Sequence, residues 1–82
     1  MIKVLFFARL REQLSTDSLQ IPASEALTTE LIRQQLAETD PLWAKVMTAD
    51  NLLVAVNQEM TSDDVAINDT DEIAFFPPVT GG

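Results

Sequence analysis

Apolar and polar positions divide the chain into short alternating runs and two helical stretches. Ile2 to Ala8 is rich in β-branched and aromatic residues, which predicts a strand. Its two faces, Ile2/Val4/Phe6 and Lys3/Leu5/Phe7, both carry large apolar groups. A central strand has that pattern, and so does a strand with one face in the core and the other a docking surface. Arg9 to Leu14 reads as a connection or a short helical turn, and Ser15-Thr16-Asp17-Ser18 as turn chemistry. Leu19 and Ile21 alternate with polar neighbours, giving a short second strand that ends at Pro22.

The period then changes. Thr28 is suited to cap a helix, with Glu30 in the first turn near the positive end of the dipole. Leu27/Leu31 and Ile32/Leu36 are spaced i,i+4, predicting one buried face. Asp40-Pro41 starts a second helix, an N-cap followed by proline at the first helical position. Leu42/Val46 and Trp43/Met47 repeat the spacing and are assigned to the core. Asp50-Asn51 marks a turn before Leu52 to Val56, an apolar and therefore central strand. Asn57-Gln58-Glu59 turns the chain into a short pairing segment at Met60-Thr61. The turns at Asp63-Asp64 and Asn68 to Asp71 flank Val65-Ala66-Ile67. Ile73 to Phe76 is the last strand, with Ile73 and Phe75 on one face and Ala74 and Phe76 on the other. The order predicts an α+β fold, a mixed sheet with a helix packed across one face. It places one domain over residues 1–76 and an extended arm over 77–82.

Composition mainly removes possibilities. Apolar residues make up 46% of the 82, enough for a core. With no cysteine and no histidine, thiol catalysis, the usual hydrolytic triads and Cys/His metal sites are unavailable. Asp69-Thr70-Asp71 lacks the glycine and the later Glu that a calcium loop needs, so no metal is expected. Both glycines lie at the end of the chain, so there is no glycine-rich phosphate loop. A net charge of −8 argues against nucleic acid and suits basic protein partners, although acidity also serves solubility. No apolar run approaches membrane-spanning length, and Arg9 and Arg11 interrupt the apolar start, so a cytoplasmic protein is expected.

The remaining chemistry is at the end of the chain. Pro77 and Pro78 stop the last strand from pairing further and keep the base of the arm extended. From Pro77 to Gly82 an extended chain reaches on the order of 20 Å. Gly81 and Gly82 have no Cβ, so a narrow channel can close on bare backbone. Two terminal glycines alone are as well explained by a frayed end. The unit Phe75-Phe76-Pro77-Pro78-Val79-Thr80-Gly81-Gly82 is more specific. It resembles the C-terminus of the small, sulfur-carrying subunits of molybdopterin synthase. Met1 to Ala8, Arg11-Glu12 and Val56-Asn57-Gln58 resemble that family too, so the likeness spans the chain.

The resemblance implies a ubiquitin-like β-grasp with the first and last strands adjacent and parallel. It implies that an E1-like adenylyltransferase converts the Gly82 carboxylate to an acyl-adenylate, consuming ATP, and that a sulfurtransferase system then leaves a thiocarboxylate. The synthase large subunit would enclose Pro77, Pro78, Val79, Thr80 and Gly81 in a channel and use the sulfur on a cyclic pyranopterin phosphate, building the molybdopterin dithiolene. Catalytic acid–base groups would lie in that partner, two small with two large subunits, and this chain would bind no cofactor. The turn before the last strand departs from the family, which often has glycine where this chain has Thr70. A carrier of the thiamine type and a ubiquitin-like modifier joined to lysines are the alternatives. Finally, if Ile2, Val4, Phe6, Ile73 and Phe75 face the helix, then Leu5, Phe7, Ala74 and Phe76 share the other face. With Met60 they would form an uncovered patch for partners at the root of the arm.

Overall fold

The computed structural model describes residues 1–50 and 52–77. Five strands, β1 (Ile2–Phe6), β2 (Ser18–Ile21), β3 (Leu53–Val56), β4 (Glu59–Thr61) and β5 (Glu72–Phe76), form one sheet in the order β2-β1-β5-β3-β4. Three helices, α1 (Arg9–Leu14), α2 (Thr29–Ala37) and α3 (Pro41–Met47), complete the fold. β1 and β5 run parallel with Val4 opposite Ile73 and Phe6 opposite Phe75, while the other pairings are antiparallel. The last strand is thus the middle of the sheet, hydrogen-bonded on both edges.

Alternation decides which side is core. Ile2, Val4, Phe6, Ile73 and Phe75 are buried on the face that meets Ile32, Leu36, Trp43 and Met47. Phe6 lies edge-on to Trp43, with ring centroids 5.3 Å apart, and stacks at 6.0 Å on Phe75. Such pairs contribute about 0.5–1.5 kcal/mol beyond the area they bury. Both predicted caps form: the Thr28 hydroxyl accepts from the Leu31 N–H at 3.3 Å, and the Asp40 carboxylate accepts from the Trp43 N–H at 3.0 Å. The Arg33 guanidinium donates to the Met47 and Ala49 carbonyls, tying α2 to the end of α3.

The structure corrects several expectations. β1 stops at Phe6, because Ala8 adopts φ 54°, ψ −128°, which no strand can continue through. Arg9 to Leu14 takes the helical of the two forms expected for it, burying Leu10 and Leu14. Leu31 and Leu42 are exposed, at 43% and 47%, because the contact with the sheet covers a narrower arc than the i,i+4 pattern suggested. Leu27 is buried but precedes α2, held by an Ile67 N–H to Leu27 carbonyl bond of 2.8 Å. Leu52 is buried ahead of β3 rather than in it, and Asn51 of the predicted turn lies outside the described residues.

Candidate functional site

Because β5 is central, the chain leaves the sheet from its middle. Phe76 ends the strand, and the Phe7 N–H donates to the Phe75 carbonyl at 3.2 Å, carrying the pairing just past β1. Phe7 and Phe76 therefore project side by side on the face opposite the helices, with ring centroids 4.9 Å apart and planes within 6°. The parallel register puts Leu5 beside Ala74, and the antiparallel pairings continue that row through Ala55 to Met60. Ala55 and Ala74 are small and buried in the floor of the patch, while Phe7 and Met60 are 40% and 57% exposed. Phe7 and Phe76 thus share the face that alternation predicted, and the pairing of β4 with β3 adds Met60 to it.

Leu53 was missed by the sequence reading as part of this face. It pairs with Phe76 and, alternating with Val54, which packs half-buried against the core, points to the same side. Period-two counting from Ala55 would have found it. Pro77 is the last arm residue in the described chain. Pro78, Val79, Thr80, Gly81 and Gly82 lie outside it.

The acidic turns prove to be structural. The Asp71 carboxylate accepts from the Asn68 N–H at 2.8 Å and from the Asn57 amide at 3.1 Å, and these bonds hold it below its ordinary range. Asp69 pairs with the Met1 ammonium and is lowered by that hydrogen bond and charge. Among the described residues no group of acidic side chains is arranged to hold a metal ion. Thr70 sits at φ 74°, so the turn keeps a positive φ without glycine. The departure in sequence is absorbed locally.

Residues 4–82 match the ThiS family. The chain is 49% identical over 82 residues to the molybdopterin synthase sulfur carrier subunit of Escherichia coli (strain K12), covering 100% of both chains. It is 45% identical to the protein of the same name from Haemophilus influenzae, again over 100% of both. Among solved structures it is similar to SAMP1 from Haloferax volcanii, with a TM-score of 0.83 and 24% identity over 99% of this chain and 98% of that one. That likeness is one of fold, a ubiquitin-like β-grasp.

Proposed function

Since the chain belongs to the ThiS family, and within it to the molybdopterin synthase sulfur carrier subunits, we propose that Gly82 carries sulfur as a C-terminal thiocarboxylate. The observation that carries this reading is the end-to-end match to two such subunits, and the geometry agrees with it. An arm rooted in the central strand is held firmly at its base, and the Phe7/Phe76 stack beside it gives a partner something to grip.

The chemistry follows from the weakness of a carboxylate as an electrophile. An E1-like adenylyltransferase joins Gly82 to AMP and releases pyrophosphate from ATP. Sulfur supplied at the oxidation level of sulfide by a sulfurtransferase system displaces AMP, forming the carbon–sulfur bond. In the large subunit the thiocarboxylate sulfur attacks a cyclic pyranopterin phosphate, and water cleaves the acyl–sulfur bond, restoring the Gly82 carboxylate. Each new carbon–sulfur bond replaces a carbon–oxygen bond, whose oxygen leaves with the opened phosphate ester in one transfer and as water in the other. Two such transfers complete the dithiolene. The chain has no cysteine thiol to intercept the activated acyl group. Pro77 and Pro78 direct the arm, and Pro77, Pro78, Val79, Thr80 and Gly81 lie in a channel of the partner. Phe7, Met60 and Phe76 dock the body. The reaction takes place in the cytoplasm, and no helix among the described residues is long and apolar enough to cross a membrane.

Removing Gly82, or adding one residue after it, is expected to abolish sulfur transfer with the thermal midpoint unchanged, because the reactive carbonyl is displaced. Gly81→Val is expected to fail as well, since a branched Cβ blocks a channel shaped for backbone. Near-wild-type transfer by the terminal variants would overturn the reading. The alternative use of the same carboxylate is attachment to lysines, as in a ubiquitin-like modifier. Mass spectrometry after loading separates the two, since a carrier exchanges oxygen for sulfur and a modifier yields branched adducts.

A further inference from the structure

The root of the arm has a second flank. On the helix side of the sheet, Pro77 closes a groove of about 270 Å³ between α1 and the end of α3. Leu10, Leu42, Val46 and Leu52 give it apolar walls, and Arg9 and Lys45 bring a cation from each helix. Leu52 and Leu53 are consecutive, yet the first lines this groove and the second faces Phe76 on the opposite side. The groove is therefore continuous with the aromatic patch across the place where the arm departs.

Its charge runs against that of the molecule. The chain has thirteen acidic and five basic residues, and two of those five meet here. Neither Arg9 nor Lys45 is paired with a carboxylate among the described residues, whereas the Arg33 guanidinium is spent on backbone carbonyls. Leu42 remains 47% exposed on a helix whose Trp43, Val46 and Met47 are buried. An apolar side chain left open in a groove with two cations that have no carboxylate partner among the described residues matches a segment with the reverse of each property. A negative group on a partner would be repelled by most of this acidic surface and accepted at this groove, which fixes the orientation of docking.

We propose that the groove docks a segment of the arm-receiving protein in which a bulky apolar side chain is flanked by carboxylates. The apolar side chain packs on Leu42 and Val46, and the carboxylates lie between Arg9 and Lys45. This rests on the reading of Gly82 as a group delivered into the synthase large subunit, since only a protein that encloses the arm must lie across both flanks of Pro77. A simple phosphate is a poorer fit, because the interior of the groove is largely aliphatic and its cations stand on separate helices.

The test uses the full chain and the purified large subunit. The Arg9→Glu/Lys45→Glu double variant is expected to bind about tenfold or more weakly at about 0.05 M salt. Raising the salt to about 0.5 M should weaken the wild type and narrow that gap, since screening removes the attraction and the repulsion alike. Leu42→Asp should also weaken binding, with the thermal midpoint of every variant near that of the wild type. A zero-length carbodiimide reagent should join the Lys45 amine to an Asp or Glu of the large subunit, identified by mass spectrometry. Equal affinity of the variants, with no crosslink from Lys45, would overturn the docking inference and leave the sulfur-carrier reading intact. Failure of the wild-type chain to bind the large subunit at all, with no oxygen-to-sulfur exchange at Gly82, would overturn that reading and this inference with it.

Discussion

At the scale of single residues, Thr70 stands against its own stereochemistry. Its φ of 74° brings a β-branched side chain into conflict with the backbone, yet the turn is held by the Thr70 N–H on the Met1 carbonyl and the Asp71 N–H on the Asn68 carbonyl. Left-handed backbone costs an ordinary residue about 1–2 kcal/mol, and glycine loses roughly 0.5–1 kcal/mol more entropy on folding. The first effect is the larger, so Thr70→Gly is expected to stabilise the domain by about 1 kcal/mol in urea unfolding. A lower midpoint would show that the Thr70 side chain makes a contact worth more than the strain. The two leucines of the helical pattern give an opposite pair. Leu36 is buried at 5% exposure, and Leu36→Ala should cost about 2–5 kcal/mol, whereas exposed Leu42→Ala should stay within about 0.5 kcal/mol.

At the scale of elements, α2 shows what local pattern can and cannot reveal. Its cap at Thr28 and the Asp40-Pro41 start of α3 were legible because a capping bond spans three residues. The Asp64 carboxylate, 34 residues further on, also anchors α2, accepting the Glu30 N–H at 3.0 Å and the Thr29 hydroxyl at 3.1 Å. No local signal announces it. The Glu30 N–H, first among several hydrogen bonds, holds the pKa of Asp64 below its ordinary value of 3.8. A carboxyl depressed in the folded state contributes stability that is complete above the unfolded value and is lost as pH falls through the folded one. Asp64→Asn should therefore lower stability at neutral pH and make the decline below about pH 3.8 shallower. A parallel loss at every pH would show that shape matters there and charge does not. The same limit applies across the sheet. Strand positions followed from alternation, but the parallel pairing of β1 with β5 came from the family resemblance, because alternation fixes faces and not neighbours. The aromatic patch was legible because it needed only faces. The groove at Arg9 and Lys45 was not, since it exists only through the approach of α1 to α3.

For the whole molecule, the proposed function raises the question of how one small body would serve two enzymes. Among the described residues the face bearing Leu5, Phe7, Leu53, Met60 and Phe76 has no helix over it, because α1, α2 and α3 contribute their buried residues to the other side. Two parallel rings 4.9 Å apart, with an exposed methionine along the next row, make a broad apolar surface at the base of the arm. Monomers seldom leave such a surface without a partner. On the proposed function, Gly82 would enter an adenylylating site and later the site of sulfur transfer, and each enzyme would hold the body close to the same root. If both grip the aromatic face, they exclude one another, and sulfur moves by dissociation and rebinding. Phe76→Asp should then weaken both complexes, by about 2 kcal/mol or more if Phe76 is a hot spot. The fold should survive, because Phe76 ends β5 and is only half-buried. The deciding measurement is a competition pull-down with the activating enzyme and the large subunit both present, each displacing the other as its concentration rises. Recovery of a stable ternary complex, or loss of one complex alone in the Phe76 variant, would mean that the two enzymes hold different faces and that the carrier can be handed over without being released.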